Sequence, residues 1–532
     1  MTPDRGPLPS LEQALDQLHA TEHKYPPEAR IAQTRAALTA NERLCRDRSR
    51  VDAYFGYLGR RDMFQPIYGM GHFPHGLPVS LPQYLMELLD ASARVLLAFM
   101  RREVREQGPQ YLLERAPQGW LSDQMAARLH DYYLATEPDL AFDVLVYGVN
   151  SRRGVTFDEM LRGDDWLHAK ILEAQSCDTY YGWWREYLKA SRLVGLGDGC
   201  RFTLDTDAAG RPLDDAALDV QTLAALNHPC ADDPSGIVFI EVDPEKQASG
   251  QNLVFMADAM GGGDQRRRPV VLDPRDLEIR DGRVFATKAG CEREIRKGIS
   301  RIVDVDLTAY VHAREADGQG EVIERFKRIY DAPHVWGDLS KHLMGFYLIN
   351  KTTLTRLSDL GMSVVARTES LTPERVEAIR REPGRLETIA IKPLLGMSAK
   401  GVIVQPTLTE LTQAVAHEPM LMQELFHATP VLPDINPDIA DPDVRAGVCC
   451  EARLLTHGGS PAVAHNPHRA RTVGGLSRSH YQSADPRRRI KNDRAGRGWY
   501  SNMGAILAVK GELGLTSKTD AGVGMAPIYW LD

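Results

Sequence analysis

Residues 387–404 read ETIAIKPLLGMSAKGVIV. Lys392 closes a short apolar run, Ile389-Ala390-Ile391, and a turn holding Gly396, Ser398, Lys400 and Gly401 separates it from a second run, Val402-Ile403-Val404. The pattern predicts an antiparallel strand pair joined by a flexible glycine loop. Small residues let backbone N–H groups approach an anion, and a lysine at the strand end adds a fixed positive charge. Those are the parts needed to hold a nucleotide's phosphates. The spacing is not the GxxxxGK[ST] of a strand–loop–helix cradle. The plain alternative is an ordinary surface hairpin with solvated lysines.

Other stretches carry chemistry of the same kind. Residues 169–175 read AKILEAQ. On an extended strand Ile171, Glu173 and Gln175 share a face, because side chains alternate. A carboxylate and an amide oxygen two apart can coordinate one hard cation such as Mg²⁺; taken alone, a half-buried edge strand with solvent-facing polar residues accounts for them as well. The run MLMQELFH at 420–427 reads as an apolar strand carrying Gln423, Glu424 and Leu425. Such a strand can offer backbone N–H and C=O to an adenine edge while a polar side chain holds a ribose. In GVCCEARLL, 447–455, Glu451 and Arg453 fall on one face. The stretch HNPHRARTVGGLSRSH, 465–480, reads as a loop whose Arg469, Arg471 and Arg478 suit bidentate contact with carboxylate or phosphate. Its His465 and His468 lack a third ligand, so no zinc site is expected. Lys351 opens KTTLTRLSDL after the apolar YLIN, and Lys518 precedes a glycine loop and a last strand.

These residues need elements to position them. Residues 1–135 read mostly as helices, with Leu85, Leu88, Leu89, Leu96 and Phe99 forming one apolar face. AFDVLVYG at 141–148 reads as a buried strand, and CDTYYGWWREYL as a helix packing its aromatics on the core. Over 235–305, strands alternate with a helix at 247–258, which predicts a small parallel sheet; Asp281-Gly282 between alternating runs predicts a hairpin. Residues 319–360 and 372–382 read as helical.

The chain has 532 residues, 43% hydrophobic and 26% charged, with a net charge of −8. That composition is globular, and the mixed charge disfavours nucleic acid or an anionic membrane as main partner. The start lacks an apolar signal region, and the apolar stretch 84–100 is broken by Asp90 and Arg94. Seven scattered cysteines without a CxxC pair fit a reducing cytosol, so a cytoplasmic location is expected.

The order of these features resembles the circularly permuted ATP-grasp ligases, the group containing eukaryotic glutathione synthetase and glutathionylspermidine synthetase. ILEAQ is similar to that group's IEIN, LINK to its nucleotide-contacting lysine motif, and IKPLLGMSAKG to its LKPxxxGGG. LMQELF is similar to ILMEKI, VCCEARL to CISELG, and SKTDAGVGMAPIYWLD to the closing lysine with its mobile loop. The similarity runs over roughly 140–532. Two departures stand out: no glutamate lies between Lys392 and Gly401, and Ser517 precedes Lys518 where the relatives have RT.

The resemblance implies an α/β (α+β) chain: an ATP-grasp fold with an inserted small parallel-sheet domain and a helical N-terminal region. The units would be 1–135, helical; 136–234, the metal-binding strand portion of the core; 235–330, the small α/β domain; and 331–532, the nucleotide-binding domain. It implies ATP and Mg²⁺ as cofactors. Glu173 and Gln175 would hold the metal. Lys351 and Lys392 would pin phosphates under the loop bearing Gly396, Ser398 and Gly401. Gln423, Glu424 and Leu425 would meet the adenine, and Glu451 would bind ribose or a second metal. Arg469, Arg471 and Lys518 would serve catalysis. The implied reaction joins an amino-acid-like carboxylate to an amine; a homodimer is admitted but not required. A phosphotransferase on the same fold and a non-catalytic scaffold are the alternatives.

Overall fold

The computed structural model describes residues 9–61, 76–115, 122–135, 140–150, 155–175, 181–195, 232–247, 250–300, 351–394, 401–433, 447–457, 471–481 and 524–531, with short pieces at 63, 66–67, 71–72, 200–201, 220, 223, 230, 310, 312–313, 316–318, 320–321, 324, 328–329, 491–492 and 496–497. Helices begin where the sequence supplies caps. Ser10 and Gln13 form a capping box on Leu11–Lys24, and Asp47 accepts from the Arg50 N–H at the start of Arg48–Arg60. Gln83–Gln107 is the long helix of this region. Leu85, Leu89, Leu96 and Phe99 are buried on it, and it stops at Gly108, whose φ of 69° suits glycine. No helix among the described residues is long and apolar enough to cross a membrane.

These helices share one core with a large sheet. Its strands run in the order Val79–Pro82, Gly524–Leu531, Arg471–Tyr481, Val448–His457, Leu140–Gly148 and Leu167–Gln175. Val79–Pro82 pairs parallel to Gly524–Leu531; the other neighbours in that order are antiparallel. One face of the sheet carries Phe142, Val144, Val146, Ile171, Ala174, Cys450 and Ala452 into the core beneath the helices. Helix Tyr181–Leu193 adds Trp183, Trp184 and Tyr187, all fully buried. Cys449 and Cys450 alternate between faces and are free thiols, as strand geometry requires.

The expected parallel sheet lies within 237–300, with Ile237–Ile240 between Lys297–Ser300 and Val270–Leu272. Its middle strand is apolar throughout because both faces are covered. Helix Gly250–Met260 links two of these strands and crosses Tyr181–Leu193 at Gly182, where a Cβ would sit 2.3 Å from the Asn252 carbonyl oxygen. The hairpin Leu277–Arg280/Arg283–Ala286 turns on Asp281 and Gly282, both at positive φ.

A second antiparallel sheet runs Thr368–Ser370, Met420–Glu424, Ile389–Pro393, Ile403–Val404. Helices Pro373–Arg381 and Leu408–His417 cover one face of it through Val376, Ile379, Leu411, Ile389, Ile391, Met420 and Met422. Alternation therefore puts Ala390, Lys392, Leu421, Gln423 and Thr368 on the other face. Backbone bonds stitch the large sheet to the segment that leads into Thr368–Ser370: Ile171 N–H donates to the Val364 carbonyl at 2.6 Å, and Ala366 N–H to the Ile171 carbonyl at 3.5 Å.

Candidate functional site

The stitch lies beside a break in the alternation of Leu167–Gln175. Asp143 pairs with Glu173 and Val144 with Ile171, so Leu172 is an extra residue without a partner in the ladder, a β-bulge. The bulge corrects one expectation. Ile171 does not share a face with Glu173: it is buried in the main core, whereas Glu173 lies on the opposite face with Asp143. The backbone of Gln175 pairs with Ala141, two positions along from the Asp143–Glu173 pair.

The bulge also turns the Leu172 carbonyl toward the second sheet. Lys392 Nζ and Gln423 Nε2 each donate to it at 3.5 Å, the long limit for a hydrogen bond. Gln423 is buried and also donates to Thr368 Oγ1 at 3.0 Å. Lys351, at the N-terminal boundary of helix Thr352–Asp359, is buried and sends its ammonium to the Pro393 carbonyl at 3.4 Å. Two lysines 41 residues apart (351 and 392) thus meet at one strand end. Burial pulls the Lys392 ammonium down to about 8; Glu173 opposes that, Lys351 adds to it, and Asp143 opposes it. The charges of Lys351, Glu173 and Asp143 therefore act together on Lys392 where the two sheets approach each other.

Glu451 is buried and pairs with Leu145, two positions along the strand from the Arg453–Asp143 pair, hence on the same cleft-facing side. Asp143 is a site neighbour that the sequence reading passed over as part of a buried strand. Its one signal was a carboxylate inside an otherwise apolar run.

Two further expectations change. Met420–Glu424 is an inner strand, flanked by Thr368–Ser370 and Ile389–Pro393, so its ladder groups are already paired. The Glu424 N–H donates to the Arg367 carbonyl at 2.8 Å and the Leu425 N–H to the Thr388 carbonyl at 2.9 Å. Neither donor is open to a base edge. Thr368 and Glu424 instead line a cavity of about 400 Å³ with Lys170, Met362 and Val365. Second, the arginine-rich stretch is not a loop throughout. Arg471–Tyr481 is a strand between Val448–His457 and Gly524–Leu531, with Arg471 opposite His457 at its end. Gly474-Gly475 hid it, and its pairing comes from neighbours on both sides.

Gly401, at φ 78°, begins the return strand; a Cβ there would lie 3.1 Å from Pro393. Gly396, Ser398, Arg469 and Lys518 fall outside the described residues, as does the Gln175 side chain.

The donor set suits an anion. The Lys351 and Lys392 ammonium groups approach the same strand end, partly withdrawn from water, where a polyphosphate would relieve their mutual repulsion. Among the described residues no cluster of three or more His, Cys, Asp or Glu could cage a metal. The set fits Mg²⁺ carried on phosphates, which needs one or two carboxylates rather than a protein cage.

The site thus belongs to a mixed α/β protein and lies where a large mixed sheet approaches a smaller antiparallel one. No family model matches the chain, and no curated protein does. Among solved structures, a glutathione synthetase-like effector from Globodera pallida in apo form aligns at 11% identity, covering 81% of this chain and 96% of its own with a TM-score of 0.43. The ATP-grasp ligase PsnB complexed with minimal precursor aligns at 12% identity over 53% of this chain and 99% of its own, with a TM-score of 0.26. PsnB with minimal precursor, Mg and ADP gives 14%, 52%, 98% and 0.25 respectively.

Proposed function

We propose that the chain is an ATP-dependent carboxylate–amine ligase of the ATP-grasp type, acting through an acyl phosphate and releasing ADP and phosphate. The observation that supports it most is the meeting of Lys351 and Lys392 with Glu173 in the cleft between the sheets. In this reading 331–532 binds the nucleotide, 136–234 contributes Glu173 and Gln175, 235–330 is the inserted α/β domain, and 1–135 is the helical N-terminal region.

The residues then divide the work as phosphoryl transfer requires, by positioning and charge neutralisation. Lys351 and Lys392 hold the phosphates, and the loop bearing Gly396, Ser398 and Gly401 covers them. Glu173 and Gln175 meet the Mg²⁺, which supplies charge neutralisation at the phosphates when bound. Gln423, Glu424 and Leu425 border the adenine through side chains and the adjoining cavity, and Glu451 binds the ribose or a second metal. Arg469, Arg471 and Lys518 serve the acyl phosphate and the acceptor, and the loop after Lys518 excludes water.

The test is product analysis. Incubation with ATP, Mg²⁺ and pools of amino acids and amines should release ADP and phosphate together with an amide. Release of AMP would indicate adenylation and overturn the reading; a stable phosphorylated product without amine would indicate the phosphotransferase instead. Lys392→Ala should lose nucleotide binding, read as loss of the thermal shift that ATP and Mg²⁺ produce.

A further inference from the structure

On the cleft-facing side of the large sheet, Asp143 and Arg453 form a two-pronged ion pair. Arg453 Nε donates to Asp143 Oδ1 and Nη2 to Oδ2, each at 2.7 Å. Their side chains are only 6% and 7% exposed, Arg453 first. Register sets Glu173 directly opposite Asp143 on one side and Arg453 opposite it on the other. The three side chains thus form a single rung across three strands, and neighbours on such a rung have Cβ atoms roughly 5 Å apart.

A buried ion pair is a poor stability device, because the water stripped from both charges offsets most of the attraction. Its position has another consequence. Asp143 and Glu173 are adjacent carboxylates facing one cleft, which is the start of a divalent-cation site. Arg453 takes both oxygens of one of them, in the planar geometry a guanidinium matches best.

We propose that Arg453 is a built-in cation of the cleft, a positioning residue that withdraws Asp143 from metal coordination and leaves Glu173 as the carboxylate a phosphate-borne divalent ion meets. A divalent ion would then be held by Glu173 only when it is carried on phosphates. Its purpose rests on the proposed nucleotide reading, but its physical content does not, and neither does its test.

The experiment is a Mn²⁺ titration of the full chain without nucleotide, following loss of the free-ion signal by electron paramagnetic resonance. The wild-type protein should bind Mn²⁺ only in the millimolar range or weaker. Arg453→Met fills similar volume and returns Asp143 to the pair with Glu173, so affinity should rise on the order of tenfold, as ligand charge count dictates. Adding Glu173→Gln to that variant should abolish the gain, which a merely structural role would not predict. If Arg453→Met does not fold, Arg453→Lys, which keeps a charge but loses the two-pronged grip, should show a smaller rise in the same direction. Tight Mn²⁺ binding by the wild-type chain, or unchanged affinity in a folded Arg453 variant, overturns the proposal. Failure to make an amide would leave these outcomes untouched, so the two ideas fall separately.

Discussion

Lys392 is the residue on which the cleft's electrostatics turn. It faces Glu173 and Asp143, which favour its charge, and Lys351 and burial, which oppose it; together they bring the ammonium down to about 8 from 10.5. A phosphate ligand favours the charged form, so binding raises this value again. Nucleotide binding above pH 8 should therefore take up a proton and weaken as pH rises, by as much as about tenfold per unit. Calorimetry in two buffers of different ionisation enthalpy reads the uptake directly; binding enthalpies that do not depend on buffer at pH 8.5 would exclude it. The sign for stability is the reverse. Below about 8 the lysine is charged in both folded and unfolded chains, and its burial disfavours folding. Between about 8 and 10.5 the unfolded chain holds more of that proton, so this group's share of stability rises with pH.

At the scale of elements, two features set the geometry. The bulge at Leu172 re-aims a strand so that its carbonyl meets Lys392 and Gln423 while Ile171 stays in the core. The helix crossing at Gly182 joins Tyr181–Leu193 to Gly250–Met260 at backbone contact. Gly182→Ala places a methyl 2.3 Å from the Asn252 carbonyl oxygen and 2.9 Å from the Met256 nitrogen. The helices must separate, and the expected loss is roughly 1–3 kcal/mol, read as a lower urea midpoint. An unchanged midpoint would mean the crossing adjusts freely. The hairpins were legible from local pattern alone: Ile389–Pro393 with Ile403–Val404, and the turn at Asp281-Gly282. Alternating apolar residues and positive-φ turn residues specify those without help from elsewhere. The bulge was not legible, because a single added residue leaves the composition of AKILEAQ unchanged and is fixed by pairing with 140–148 and by the bond to Val364.

Across the whole molecule, the cleft joins strands from 140–175, 389–424 and 448–453, while the hairpin 277–286 belongs to a different sheet. If ATP binds between the two sheets, hydrogen exchange should slow at Leu167–Gln175 and at Ile389–Pro393 together and stay unchanged at 277–286. Protection confined to either sheet would place the ligand elsewhere. The strand Gly524–Leu531 runs between Val79–Pro82 and Arg471–Tyr481 and buries Trp530 in the main core. Removing residues 524–532 should expose two strand edges and that tryptophan, and the shortened chain should lose its cooperative denaturant transition.

Strand-forming runs, caps, turn glycines and the residue types able to hold an anion can all be read from the amino-acid order, because each depends on neighbours a few positions away. Local pattern marked Lys351, Lys392 and Glu173 one by one, and the resemblance alone put them in one site. Long-range pairing was needed to show that Arg453 grips Asp143 from 310 positions along the chain and that Arg471–Tyr481 is a strand. Those outcomes depend on register between strands distant in sequence, and a one-residue shift in register exchanges the faces of every side chain on a strand.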